Sequence, residues 1–390
     1  MAFKREATIV GASVAGLATA CALVARRWSV TVLERRLDLL EGGRAILLQP
    51  NGLTPLERLG ALERVRARGQ RLARVVFYGR NHQEVAFSDF GELRHPHPYA
   101  VEIRPQALRS ALAERLAELG GEAPRLGCQL VGLLRTGDAV TGARYRDPEG
   151  REYEQQAACI VGADGPDSTV REELGIGCRR FPAPDLYLLG TVSVGGGSDE
   201  LSVHCGPGYG DGVVPLGDGT YLWDRVTSEN RAAVESRDLG GWRQVYERRL
   251  PPDSEVPAAV TSWEQLTLVH VRPFWAVDQI AEAVALAGDA AGVVHPHSAQ
   301  GANLALEDAM ALGEVLAGHT RNEPVPRRLL EAYRRSRQRR RRRFVLQSLL
   351  AAGTMDAPNA AWRVVRAANF AWSRVGPARR ALLRLETGLR

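Results

Sequence analysis

The first thirty-four residues leave this chain few folds. Ala7 to Val10 is an apolar run of strand character. It enters Gly11-Ala12-Ser13-Val14-Ala15-Gly16 and then an alanine-rich stretch that reads as a helix to about Arg27. A second apolar run, Val30 to Leu33, ends on Glu34. Strand, glycine turn, helix, strand and terminal acid make a βαβ unit, which implies a parallel sheet covered by helices. Gly11 permits the tight turn, and Gly16 lets helix and strand pack closely. The helix start offers N–H groups to a phosphate, and Glu34 stands where a carboxylate accepts hydrogen bonds from a ribose. Ser13 departs from the fingerprint, which prefers a second glycine there. Arg35 and Arg36 follow the acid; they read as partners of a 2′-phosphate or, alternatively, Arg35 flanks an adenine.

Two later stretches repeat the theme of a buried strand ending in a turn. Cys159 to Val161 runs into Gly162-Ala163-Asp164-Gly165, with Ser168 and Arg171 on a helical turn beyond. Asp164 is equally suited to capping that helix. Ala283 to Ala287 ends at Gly288-Asp289. A loop stiffened by Pro296 follows, and Gly301 opens a helix with Leu304, Leu306, Met310, Leu312 and Leu316 as its apolar residues. A glycine at a helix start admits a flat ligand close to the backbone, and the dipole end there favours an anion. An isoalloxazine that becomes anionic on reduction meets both conditions; an ordinary strand–loop–helix unit meets them too.

Between these stretches the pattern changes. Ala45–Leu48 reads as a strand, Leu53–Leu59 as a short helix, and Leu72–Phe87 alternates in strand fashion. Arg104-Pro105 begins an amphipathic helix stopped by Gly120-Gly121. From Leu186 to Val226 the chain is extended throughout, and Tyr221, Trp223 and Arg225 share one face. Charge is uneven as well. Residues 331–390 hold 15 arginines against Glu331, Asp356 and Glu386, so a basic tail closes a mildly acidic body. A run such as Arg334, Arg335, Arg337 and Arg339–Arg343 reads as a solvated helix face; the minority readings are nucleic acid, an anionic membrane or an acidic carrier. If the tail packs instead, Phe344, Leu346, Leu349, Leu350, Trp362 and Trp372 are its buried residues.

The rest of the composition excludes chemistry. Lys4 is the sole lysine, so no Schiff-base lysine is available in the body and no P-loop GK[ST] exists. Five scattered cysteines without a CxxC or Cys/His cluster suggest neither zinc nor a disulfide framework, and no metal site is expected. No apolar run reaches membrane-span length and no leader precedes the first strand, so the expectation is a soluble cytoplasmic protein, monomer or homodimer, with no nucleic-acid partner.

GASVAG with Glu34, GADGPDSTVR and GDAAGVVHPHSAQGAN, in this order, resemble the single-component FAD-dependent aromatic hydroxylases, the para-hydroxybenzoate hydroxylase-like flavoprotein monooxygenases. The resemblance spans about Ala7 to Leu316. It implies an α/β fold: a Rossmann-like FAD-binding domain (1–70, 100–180 and 272–330) interleaved with a mainly β substrate domain (71–99 and 181–271), followed by a C-terminal helical extension (331–390). It implies non-covalent FAD held by Gly11, Ser13, Val14, Ala15, Gly16, Glu34 and Arg35, with Arg44 and Arg104 as further contacts. Asp164 and Gly165 match the motif tied to FAD and to transient NAD(P)H binding. Asp289 would bind the ribityl or pyrophosphate part, Pro296 would lie beside the flavin, and Gly301, Ala302 and Asn303 would meet its pyrimidine edge. Two departures concern the flavin loop: Ala299, where a glycine is frequent, and Gly292, where many members carry histidine.

The activity so implied is hydroxylation of a small aromatic or polycyclic substrate with NAD(P)H and O2 through a flavin C4a-hydroperoxide. Epoxidation or oxidation on the same scaffold, or a non-catalytic flavin- or ligand-binding protein whose basic tail touches an acidic surface, are the alternatives. A phenol would benefit from a base. His204, Tyr209, Tyr221, Arg225 and His297 are candidates, each equally readable as structural or lining.

Overall fold

The computed structural model describes residues 5–39, 45–137, 139–183, 186–195, 197–321, 323–355 and 373–389, with 364, 367, 368 and 371 between. Arg44, Trp362 and Trp372 lie outside the described residues.

The opening motif folds as its sequence requires. Strand β1 (Arg5–Val10), helix α1 (Val14–Val24) and strand β2 (Trp28–Glu34) form a parallel crossover, with Ala7 opposite Val30 and Val10 opposite Leu33. On the other side of β1 lies β3 (Cys159–Gly162), and beyond it β4 (Val284–Leu286), both parallel to it. The three strands whose sequences end in glycine turns therefore lie side by side, pointing the same way. Ligands bind outside the carboxyl ends of such strands. Short strands Ile280–Ala281 and Arg125–Leu126 flank this six-stranded sheet.

Helices complete the layer. α2 (Pro50–Leu59), α3 (Pro105–Glu118) and α4 (Gly301–Leu316) contribute Leu53, Leu56, Leu108, Leu112, Leu306 and Leu312 to one core with Leu17, Leu23 and Ile9. α5 (Arg327–Met355) packs along α4, and Leu330 and Tyr333 join the same core.

A seven-stranded sheet forms the second body. Its order is Leu266–His270, Leu186–Val192, Thr220–Arg225, Tyr209–Pro215, Glu200–Gly206, Arg74–Tyr78 and Glu84–Asp89. Strict alternation gives it two faces. Leu188, Leu222 and Leu266 pack outward with Trp242 and Tyr246. Tyr187, Leu189, Leu201, Val203, Val214 and Tyr221 pack inward, with Trp223 half-buried beside them. Ala45 and Leu47 of the first body join this inner cluster, and so does Leu383 of α6 (Gly376–Glu386).

The basic run departs from the expected solvated face. Arg335, Arg339, Arg342 and Arg343 are exposed, but Arg337 and Arg341 are buried and Arg340 is half-buried. The reason is partnership: α4 presents Glu307 and Asp308 to that side of α5. The apolar residues divide too. Phe344 is buried and Leu349 half-buried, whereas Leu346 and Leu350 are 53% and 72% exposed, on the side of the helix away from the core.

Candidate active site

The first glycine turn is built by close approach. Gly11 has φ +102, and a Cβ there would lie 2.4 Å from the Ala163 carbonyl oxygen. A Cβ at Gly16 would meet the Gly11 oxygen at 1.9 Å. Both positions therefore require glycine. Ser13 caps α1: its hydroxyl accepts from the Gly16 N–H at 3.3 Å and donates to the Ala163 oxygen at 2.9 Å. The serine thus ties the first turn to the second while Val14 and Ala15 begin the helix behind it. Glu34 braces the same turn, accepting from the Ala12 N–H at 2.8 Å and the Arg36 N–H at 3.0 Å. Arg35 is exposed beside it.

Asp164 follows Ala163. Its Oδ2 accepts from the Val170 N–H at 3.1 Å, so it does brace the next helix, although Ser168 is the residue at the cap position. Its Oδ1 is enclosed and has no hydrogen-bond partner among the described residues. A buried carboxylate oxygen left in this state beside a glycine turn is an acceptor waiting for a donor. Gly165, at φ +88, faces open space.

The third turn meets the first. Gly288 has φ +59, and a Cβ there would lie 2.7 Å from the Cβ of Ala15. That contact sets Asp289, whose side chain is exposed, beside the start of α1. The loop beyond is held from behind. The Gly288 N–H donates to Asp308 Oδ2 at 2.9 Å, Arg341 Nη1 donates to the Gly292 oxygen at 2.7 Å, and the His295 N–H donates to Ser348 Oγ at 2.9 Å. Arg171 adds a bond to the Ala290 oxygen at 2.9 Å. A Cβ at Gly292 would lie 2.9 Å from Arg341 Cδ and 2.7 Å from the Phe274 oxygen, which explains the glycine at this point. Ala299 sits at φ +47, a left-handed conformation that glycine adopts without strain.

The loop after Asp289 ends at α4. Pro296 is exposed, and Gly301 and Ala302 open the helix half-buried, with open space where a Gly301 side chain would lie. Asn303 is fully buried. Its amide donates to the Leu47 and Ala299 oxygens at 2.9 and 2.8 Å and accepts from the Gln49 N–H at 2.9 Å. The Asn303 side chain thus fixes the Leu47–Gln49 segment to α4. Arg104 spans the two bodies, reaching Asp218 of the Gly217–Gly219 turn at 3.0 Å.

The candidate bases separate into two groups. His297 Nε2 lies 2.8 Å from the Tyr187 hydroxyl, and its ring meets Trp223 edge-on at 5.5 Å. Tyr221 shares that inner face, and Trp223 lies over Gly212, where a Cβ would collide with the indole. Arg225 stands at the end of the same strand, donating to the Gly208 oxygen at 3.1 Å. His204 and Tyr209 face the other way. His204 is stacked on Tyr78, and burial next to His82 pushes its imidazole down to about 4. Tyr209 lies under Arg249 at 4.6 Å. Both are therefore remote from the loop and drop out as pocket residues: strand alternation turns them to the outer face. Sequence reading missed Tyr187 and the carboxyl groups of Glu102 and Glu386. Burial raises Glu386 to about 7 despite Ser88 Oγ at 3.4 Å, and its main-chain oxygen accepts from Gln300 at 3.0 Å.

These turns coincide with a known family. A family described as FAD binding domain matches residues 4–348. The chain belongs to the FAD-dependent aromatic hydroxylase and monooxygenase family. FAD is its cofactor, as it is for the family. The 6-methylpretetramide 4-monooxygenase of Streptomyces rimosus is 28% identical over 350 residues, covering 84% of this chain, which spans 58% of that relative's length. Rifampicin monooxygenase of Streptomyces venezuelae is 30% identical over 336 residues, covering 85% of this chain and 68% of its own. The p-nitrophenol 4-monooxygenase of Pseudomonas putida DLL-E4 shares the fold with a TM-score of 0.84 at 20% identity, over 100% of both chains. Among the described residues of this flavoprotein, no helix is long and apolar enough to cross a membrane.

Proposed function

We propose that this flavoprotein hydroxylates an aromatic or polycyclic substrate, using NAD(P)H and O2. One observation carries the reading. The hydrogen bond between Tyr187 and His297, with Trp223 against the same imidazole, joins the loop after Asp289 to the aromatic face of the large sheet. A flat substrate placed there lies between the cofactor turns and that face. Residues 1–70, 100–180 and 272–330 then serve as the cofactor body, 71–99 and 181–271 as the substrate body, and 331–390 as the helical extension.

The described turns fit FAD. Gly11, Ser13, Val14, Ala15 and Gly16 offer a backbone cradle to its diphosphate, and Glu34, with Arg35 beside it, faces the adenosine end. Asp164 Oδ1 and Asp289 are carboxylate acceptors for hydroxyl groups. Gly165, Pro296, Gly301 and Ala302 leave room for the ring system, while Asn303 anchors Leu47 opposite. Arg44 remains a proposed contact, and Arg104 a contact shared with Asp218. When bound, FAD supplies the redox and oxygen chemistry. The chain's own part is to hold, orient and dry the reactants. Tyr187 and His297 form a hydroxyl–imidazole pair that can pass a proton to or from a phenol on the inner face.

The test is NAD(P)H oxidation by the FAD-loaded protein against a panel of phenols and polycyclic phenols, with product mass. Substrate-dependent oxidation with a gain of one oxygen atom is expected. Binding with no stimulated oxidation would instead favour a ligand-binding role.

A further inference from the structure

Glu102 lies on Ala100–Ile103, the middle strand of a small sheet, flanked by Ile46–Leu48 and Gln70–Leu72. Val101 and Ile103 belong to the core of the first body. Alternation therefore puts Ala100 and Glu102 on the opposite face. Across the ladder, Glu102 stands between Leu47 and Gln70, and Ala100 faces Leu72. Ala100, Leu47 and Leu72 all join the apolar cluster of Tyr187, Leu189 and Tyr221. Glu102 thus occupies the face of the small sheet that meets the aromatic face of the large one.

The acid is only 3% exposed, and its Oε2 is enclosed without a hydrogen-bond partner among the described residues. Desolvation is what raises it, to about 8, so the carboxyl is protonated at neutral pH. The titratable groups on the facing elements are Tyr187 and Tyr221, with Glu386 on the helix that contributes Leu383. Arg104, two residues on, pairs with Asp218. A leucine would fill this position at lower cost, since buried polar groups are ordinarily satisfied. A protonated carboxyl offers one donor and one acceptor, a match for a neutral hydroxyl and none for a methyl group.

We propose that Glu102 is a specificity-determining residue that receives a neutral hydroxyl group of the substrate, giving one hydrogen bond and accepting one. The assignment rests on the reading of the pocket as that of an aromatic monooxygenase. It favours substrates that bring a neutral hydroxyl to this face over those of the same shape that bring a methyl group.

The experiment uses the FAD-loaded full chain and two probes of nearly equal shape, phenol and toluene, measured by calorimetry and by the flavin difference spectrum. The wild type should bind phenol at least about tenfold tighter than toluene at pH 6.5, and the preference should change as pH rises through about 8, where the acid exchanges its donor for a charge-assisted acceptor. Glu102→Leu should bring the ratio close to one. Glu102→Gln, whose amide can also give and accept, should keep the preference and lose its pH dependence. Every variant should retain FAD. A wild type without preference for phenol, or a Glu102→Leu protein that keeps it, overturns the proposal. Should the leucine variant fail to fold, an unaltered pH profile in Glu102→Gln overturns it equally. If phenol is not preferred while the wider panel still stimulates NAD(P)H oxidation, the proposal alone falls; if no panel member does so, the reading of the site falls with it.

Discussion

Behind the large sheet one arginine serves two buried carboxylates; behind the cofactor loop two carboxylates serve three arginines. In the first cluster Arg249 Nη1 lies 3.0 Å from Asp224 and 3.3 Å from Asp211. Trp242 and Asn230 also donate to Asp224. Burial, and then the Asp224 charge, drive Asp211 well above the usual carboxylate range. In the second cluster Arg337 reaches Glu307 at 2.7 Å and Asp308 at 2.6 Å, Arg340 pairs with Glu307, and Arg341 pairs with Asp308. Burial alone would raise Glu307, but Arg337 and Arg340 hold it below its ordinary value. The acid-rich cluster is sensitive to pH and sits on the outer face. In the arginine-rich cluster Glu307 is held charged, and Asp308, paired with Arg337 and Arg341, accepts a hydrogen bond from the Gly288 N–H, next to Asp289. Similar chemistry thus closes the back of one body and positions the Gly288–Asp289 turn of the other.

Substitutions can separate the two roles. The largest effect is expected from Arg249→Met, which leaves two buried carboxylates without their cation. A loss of about 3–5 kcal/mol is typical of such a break. It should worsen with rising pH. Asp211 is raised in the folded state, so its contribution is fully present below its ordinary value and is lost as pH rises through the folded one. FAD affinity of the protein that remains folded should not change; a weaker hold on FAD would erase the distinction between the clusters. Chemical melts at several pH values and FAD titration measure both.

Arg341→Met should cost less, about 2–3 kcal/mol, because Arg337 still faces Asp308. Here the cofactor must respond: the bond to Gly292 is lost and the Gly288 turn loosens, so FAD should dissociate at least about tenfold faster. A destabilised protein with unaltered FAD release would reduce this cluster to a structural brace. Asp289→Ala probes the turn itself. The loss of one charge-assisted hydrogen bond is worth about 1.5–3 kcal/mol of FAD affinity, and the FAD-saturated protein should melt near the wild-type temperature. Early melting even when saturated would mean that Asp289 only supports the loop.

The smallest effect belongs to the exposed side of α5. Arg339→Ala and Arg343→Ala should each move stability by less than about 0.5 kcal/mol in a thermal melt. A larger loss would show that the outer arginines also pair, and would dissolve the contrast between the two sides of this helix.

Much of the first, parallel-sheet body was legible in the residues alone. GASVAG, Glu34 and the Gly288-Asp289 turn act through backbone shape and strand order, and those are local or follow from the right-handed crossover. The glycines prove necessary because a Cβ at Gly11 or Gly16 would collide with backbone. Pro105–Glu118 and Gly301–Leu316 were equally visible, since apolar spacing and a proline or glycine start mark helices without reference to the rest of the chain.

What no local pattern could carry is which face meets which partner. Arg337 and Arg341 differ from Arg335 and Arg342 only by direction around one helix, and Glu307 and Asp308 lie some thirty residues earlier. His204 and His297 looked alike as candidates until sheet alternation sent one outward and the loop brought the other to Tyr187. Glu102 reads as an ordinary strand acid. Only the stacking of the small sheet on the large one removes it from water and leaves it without a partner. Backbone geometry is written in neighbouring residues, whereas the desolvation and pairing of a charge depend on atoms far away in the chain. Local residue pattern thus sets the shape of the glycine turns, and long-range packing decides which charges are buried and what they face.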